Sequence, residues 1–122
     1  MNGQDALARY QTLKVQTASP DELGLMLYEA ALRETKECRR AIREQNWAET
    51  FTHGKLAQDI MAHLAETVKL DHPQGQTMQG LYLYCWKTIA FVQSSHAAEE
   101  LDPVITVLQN LVDGLRGHIE RI

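Results

Sequence analysis

Ser19-Pro20-Asp21-Glu22-Leu23-Gly24-Leu25-Met26-Leu27-Tyr28-Glu29 is the stretch on which the fold turns. Ser19 has the side chain of a helix N-cap, and Pro20 brings the fixed φ of a first helical position. Glu22 stands three residues after the cap, where a capping-box partner belongs. From Pro20 the helical period continues to about Glu44, with one stripe formed by Leu23, Leu27, Ala30, Ala31, Cys38, Ala41 and Ile42. Leu25, Tyr28 and Leu32 fall on another side of the same helix. A helix that is apolar around most of its circumference is covered from more than one direction.

The same punctuation recurs downstream. Asn46-Trp47-Ala48-Glu49 repeats the cap logic, with Asn46 as cap, and opens a second helix to about Leu70. Its apolar face is Ala57, Ile60, Met61, Leu64 and Val68. Asp71-His72-Pro73-Gln74-Gly75 reads as a loop. A third helix, from about Gln76 to His96, buries Met78, Leu81, Tyr82, Cys85, Ile89 and Val92, while Tyr84 and Phe91 sit off that stripe. Asp102-Pro103 offers a second cap-plus-Pro start for a fourth helix. Its stripe is Val104, Ile105, Leu108, Leu111, Val112, Leu115, Ile119 and Ile122. Short connections between long helices make neighbours antiparallel, so the expected fold is all-α, an up-down-up-down four-helix bundle over residues 19–122. Residues 1–18 are polar, with Leu7, Tyr10 and Leu13 at steps of three, and are expected to form a mobile arm or short helix.

Composition narrows the function classes. The 122 residues suit one domain, and 44% hydrophobic content supports a packed core. The formal net charge of -4 argues against nucleic acid as a partner, since phosphate binding needs a basic face. The densest basic cluster, Arg39, Arg40 and Arg43, is surrounded by Glu34, Glu37 and Glu44 and reads as a solvated helix face. Residues 1–15 contain no apolar signal core, and the longest apolar run, Leu81 to Trp86, is too short to span a bilayer. Cys38 and Cys85 match no metal or redox spacing and read as small buried hydrophobes of a reducing compartment. The expected location is the cytoplasm, without membrane insertion.

No catalytic constellation emerges. None of His53, His63, His72, His96 and His118 has the Glu-x-x-His or His i, i+4 partner of a helical metal site. Thr52-His53-Gly54-Lys55-Leu56 is vaguely similar to a phosphotransfer core, but Lys and Gly stand at the wrong offsets. Ser94, Ser95 and His96 are neighbours in sequence, which is not the spatial register a nucleophile needs. No glycine-rich phosphate loop is present. The expectation is a protein that catalyses nothing and holds no cofactor or metal. A histidine phosphotransfer module acting through His53 and a self-associating structural bundle are the competing classes. What remains is apolar surface beyond one stripe per helix. Leu25, Tyr28 and Leu32, with Tyr84 and Phe91, are the candidates for a groove that accepts an amphipathic partner.

Val15-Gln16-Thr17-Ala18-Ser19-Pro20-Asp21-Glu22-Leu23, followed by Leu25-Met26-Leu27-Tyr28-Glu29, resembles the opening of the FliS family of flagellin export chaperones. Ala30-Ala31-Leu32-Arg33, Lys55-Leu56-Ala57-Gln58-Asp59-Ile60 and Leu81-Tyr82-Leu83-Tyr84 follow in order, and Ala8-Arg9-Tyr10-Gln11 is similar to the family's N-terminal segment. The resemblance implies an antiparallel bundle that binds the disordered C-terminal segment of flagellin in the cytoplasm. Such a chaperone prevents premature polymerisation and presents the client to the flagellar type III export apparatus. It also implies that Leu7 and Tyr10 dock at an export-gate component, and a homodimer is possible for the free protein. The chain departs from the family pattern at Gly24, at Glu34 where a bulky apolar residue is usual, at Pro73-Gln74-Gly75, at Val92-Gln93 and at Pro103.

Overall fold

Residues 19–122 are described in a computed structural model. Leu7, Tyr10 and the arm expected over 1–18 lie outside the described residues. Four long helices follow one another: α1 (Pro20–Arg43), α2 (Trp47–Thr67), α3 (Pro73–Ser95) and α4 (Leu101–Arg121), with a 3₁₀ turn at Ala98–Glu100 before α4. The architecture is the expected all-α four-helix bundle.

Local chemistry sets most helix ends. The Ser19 hydroxyl accepts the Glu22 N–H at 3.2 Å, and Pro20 occupies the first turn of α1. Asn46 Oδ1 accepts the Glu49 N–H at 3.1 Å to open α2. Between them Gln45 takes a left-handed conformation (φ 58°), which turns the chain back after α1. Arg40 then fastens this hairpin. Its guanidinium donates to Glu37 at 2.7 Å, Glu44 at 2.9 Å and Glu49 at 2.8 Å. The hydrogen bond from Arg40 holds the Glu49 carboxyl below the usual carboxylate range.

Two boundaries differ from the sequence reading. The Asp71–Gly75 stretch is not wholly loop, because α3 already begins at Pro73. His72 is its N-cap: ring Nδ1 accepts the Gly75 N–H at 3.0 Å. Gly75 is required there, since a Cβ at this position would lie 1.7 Å from the Lys69 carbonyl oxygen. α2 correspondingly stops at Thr67 rather than near Leu70. Nor does Asp102 cap α4. The helix starts at Leu101, two residues earlier than such a cap would place it, out of the 3₁₀ turn and without a side-chain cap bond. The Asp102 carboxylate instead accepts from Arg39 of α1 at 2.7 Å.

Cross-links show the antiparallel order. Cys38 Sγ donates to the Thr50 carbonyl between α1 and α2. Gln79 reaches the Ala65 carbonyl, and Gln93 reaches Gln58, between α2 and α3. Arg39–Asp102 and Glu29–Arg116 join α1 to α4. α4 rests mainly on α1 and only lightly on α3. The core holds Leu27, Ala31, Cys38, Ile60, Met61, Cys85, Ile89, Val92, Leu101, Leu108 and Val112. Ala30, Ala31, Ala41 and Ala57 are almost wholly buried, and such small side chains let helix backbones approach closely. Among the described residues no helix is long and apolar enough to cross a membrane.

Candidate functional site

The five groove candidates separate into two groups. On α1, Leu32 is a core residue with only 8% of its surface exposed, and Leu25 and Tyr28 are half-buried against the core. Tyr28 reaches across the bundle, with its hydroxyl 2.5 Å from that of Tyr82 on α3 and the rings tilted at 45°. Burial pushes both phenols above their ordinary pKa; at Tyr82 the bond to Tyr28 pushes the same way. This pair therefore stays protonated and works as an internal tie.

On α3 the situation is reversed. Tyr84 and Phe91 are 43% and 57% exposed. Seven residues apart, they stand on one face of the helix, two turns from each other. Leu83 and Trp86, which the sequence reading did not single out, are exposed on a different flank. With Ala62, Ala65, Glu66 and Gln79 they line a notch of about 300 Å³ between α2 and α3. Its floor is made by two alanines, and its walls by a leucine and an indole. On α2, Phe51 and Trp47 are also exposed, with Trp47 stacked on His96 at 3.9 Å and nearly parallel.

The α2–α3 side of the bundle thus carries several large apolar side chains in solvent, among them Phe51, Leu83, Tyr84, Trp86 and Phe91. The signal was present in the run Leu81 to Trp86. Six successive apolar residues at about 100° each sweep more than a full turn, so one buried face does not absorb them.

The titratable candidates find structural partners. His53 Nδ1 lies 2.6 Å from the Glu34 carboxylate, with both side chains largely covered. His118 is 3.5 Å from Asp21, and His72 caps α3. Burial raises the Cys38 and Cys85 thiols to about 11, which keeps them protonated and unreactive. Among the described residues no group of His, Cys, Asp and Glu is arranged to hold a metal ion.

What the fold and this surface define is a small helical bundle with large apolar side chains left in solvent on α2 and α3. The model of the family described as flagellar protein FliS matches residues 3–120. The chain belongs to that family, whose members are chaperones and not enzymes. A solved structure described as a flagellar chaperone from bacteria superposes with a TM-score of 0.78 at 21% identity, covering 98% of each chain. No curated protein matches the sequence.

Proposed function

We propose that this chaperone binds the disordered C-terminal segment of flagellin in the cytoplasm. It thereby keeps the client from polymerising and presents it to the type III export apparatus. The single observation that carries the reading is the exposed apolar band on α2 and α3, on a chain of the FliS family. A filament subunit assembles through an amphipathic segment, and covering that segment's apolar stripe removes the surface that nucleates assembly.

Trp86 and Leu83 are the anchors of this reading, because a half-exposed indole beside a notch is the typical hot spot of an interface. Covering what remains exposed of these two side chains contributes about 1 kcal/mol each. Tyr84 and Phe91 extend the contact along α3, and without client the same band favours pairing with a second copy. Leu7 and Tyr10 are assigned to docking at the export gate on the resemblance in their segment.

Light scattering from polymerising flagellin tests the proposal. A stoichiometric amount of the wild-type chaperone is expected to suppress filament growth, and Trp86→Ala to suppress it less at unchanged helicity. Unimpeded growth with the wild-type protein contradicts it.

A further inference from the structure

The face that α2 and α3 share is complementary to itself. Its centre is small on α2, at Ala62 and Ala65, and large on α3, at Leu83 and Trp86. The helices are antiparallel, and the Gln79 amide bonds to the Ala65 carbonyl at 3.1 Å, which sets these four residues at about one level. Glu66 stands one turn beyond Ala62, and Lys87 one turn beyond Leu83, each on the outer side of its helix. Because the helices run in opposite directions, the two charges lie on opposite sides of the notch, about 12 Å apart along the bundle. Within one molecule they are too far apart to meet. Both are exposed, and neither side chain makes an ion pair among the described residues.

We propose that this face pairs with the same face of a second copy, as a twofold-symmetric homodimer that the client displaces. The axis lies in the plane of the face, through the centre of the notch and perpendicular to the line from Glu66 to Lys87. Rotation about it sets Glu66 of each copy against Lys87 of the other, so both pairs form together. The same rotation carries Leu83 and Trp86 of one copy onto the Ala62–Ala65 side of the other, large side chains over small ones. The bundles then cross steeply. Two helices side by side are about 20 Å wide, so the crossed faces overlap over roughly 20 Å by 20 Å. That extent belongs to weak, transient interfaces, which a client covering the whole band is able to displace. Charge complementarity selects a second copy as the occupant, because it brings an anion to the cationic rim and a cation to the anionic one. The free protein thereby keeps its exposed indole covered until client arrives.

The pairing rests on the reading of this face as a partner surface, and the experiment separates it from the flagellin reading. Sedimentation velocity of the full-length wild type at low ionic strength is expected to show a dimer that dissociates on dilution. Glu66→Lys and Lys87→Glu each set like charges at both contacts, and each alone should weaken association by at least about tenfold. Both positions are exposed, so the unfolding midpoints should stay near that of the wild type. An equimolar mixture of the two variants should associate as well as the wild type, because each mixed pair again joins opposite charges. Adding the C-terminal segment of the host flagellin should convert the wild-type dimer to a one-to-one complex. A wild type that stays monomeric at about 500 μM overturns the pairing, and binding of flagellin by that monomer leaves the flagellin reading standing. A mixture no better associated than its components also overturns the pairing, as does a dimer that takes up flagellin without dissociating. A dimer that forms and is rescued by mixing, yet ignores flagellin, overturns the flagellin reading alone.

Discussion

Glu34 and His53 meet across the α1–α2 seam at 2.6 Å, each side chain more than three-quarters removed from solvent. Both had looked anomalous in the sequence: Glu34 as a carboxylate where the FliS family usually has an apolar residue, His53 as the nearest thing to a phosphotransfer histidine. Together they are one structural feature. The acid finds a partner in the imidazole, whose Nδ1 is taken up by this contact.

Removing either partner strands the other. Glu34→Ala and His53→Ala are each expected to destabilise the bundle by about 1–2 kcal/mol, with the double variant costing less than the sum. Urea unfolding of the three variants measures this. Strict additivity would show that the contact carries no energy.

The Tyr28–Tyr82 tie and the buried thiols predict how stability responds to alkaline pH. Burial raises both phenols above 10 and the thiols from 9 to about 11. A folded-state value above the unfolded one favours the protonated form in the native protein. Their contribution is therefore intact below about pH 9 and lost as pH climbs through the folded values. The urea midpoint should hold steady from neutral pH to about 9 and fall beyond it, less steeply in the Tyr28→Phe, Tyr82→Phe double variant. A midpoint that does not move between pH 9 and 11 would contradict the assignment.

Cys38 and Cys85 give a second reading of the same core. Both are fully buried, so a thiol reagent at mildly alkaline pH should label the native protein at least about 100-fold more slowly than the urea-unfolded chain. Rapid labelling of either thiol in the folded protein would place it outside the core.

Gly75 tests the correction at the start of α3. A methyl group there would strike the Lys69 backbone, and the loop has no flexible side chain to yield. Gly75→Ala is expected to cost about 2 kcal/mol or more, although alanine is otherwise the better helix former. Gly80, with open space around its Cβ position, is the control, and Gly80→Ala should stabilise by up to about 1 kcal/mol.

The pattern of agreement between sequence and structure has a physical cause. The starts of α1 and α2 were legible because Ser19 and Asn46 cap through their own side chains within three residues. The start of α3 was obscured because a histidine ring nitrogen does the capping, and Pro73 reads as a break although the first turn tolerates it. The start of α4 was misplaced because Asp102-Pro103 imitates a cap, while the Asp102 carboxylate is committed to Arg39, 63 residues earlier. Long-range partners of this kind leave no local trace. The candidate surface divided along the same line. Tyr84 and Phe91 are exposed, whereas Leu32 is buried and Leu25 and Tyr28 are half-buried against the core. The helical period locates a side chain on its own helix but not what a neighbouring helix lays over it.

On this proposal the exposed apolar band is the seat for flagellin's C-terminal segment, and calorimetric titration with that segment at several temperatures is the decisive measurement. A stoichiometric complex with a strongly negative heat-capacity change is expected, diminished in Trp86→Ala and Leu83→Ser, because binding buries apolar surface as the client orders. No measurable binding at micromolar protein, with every flagellin of the host, would contradict it.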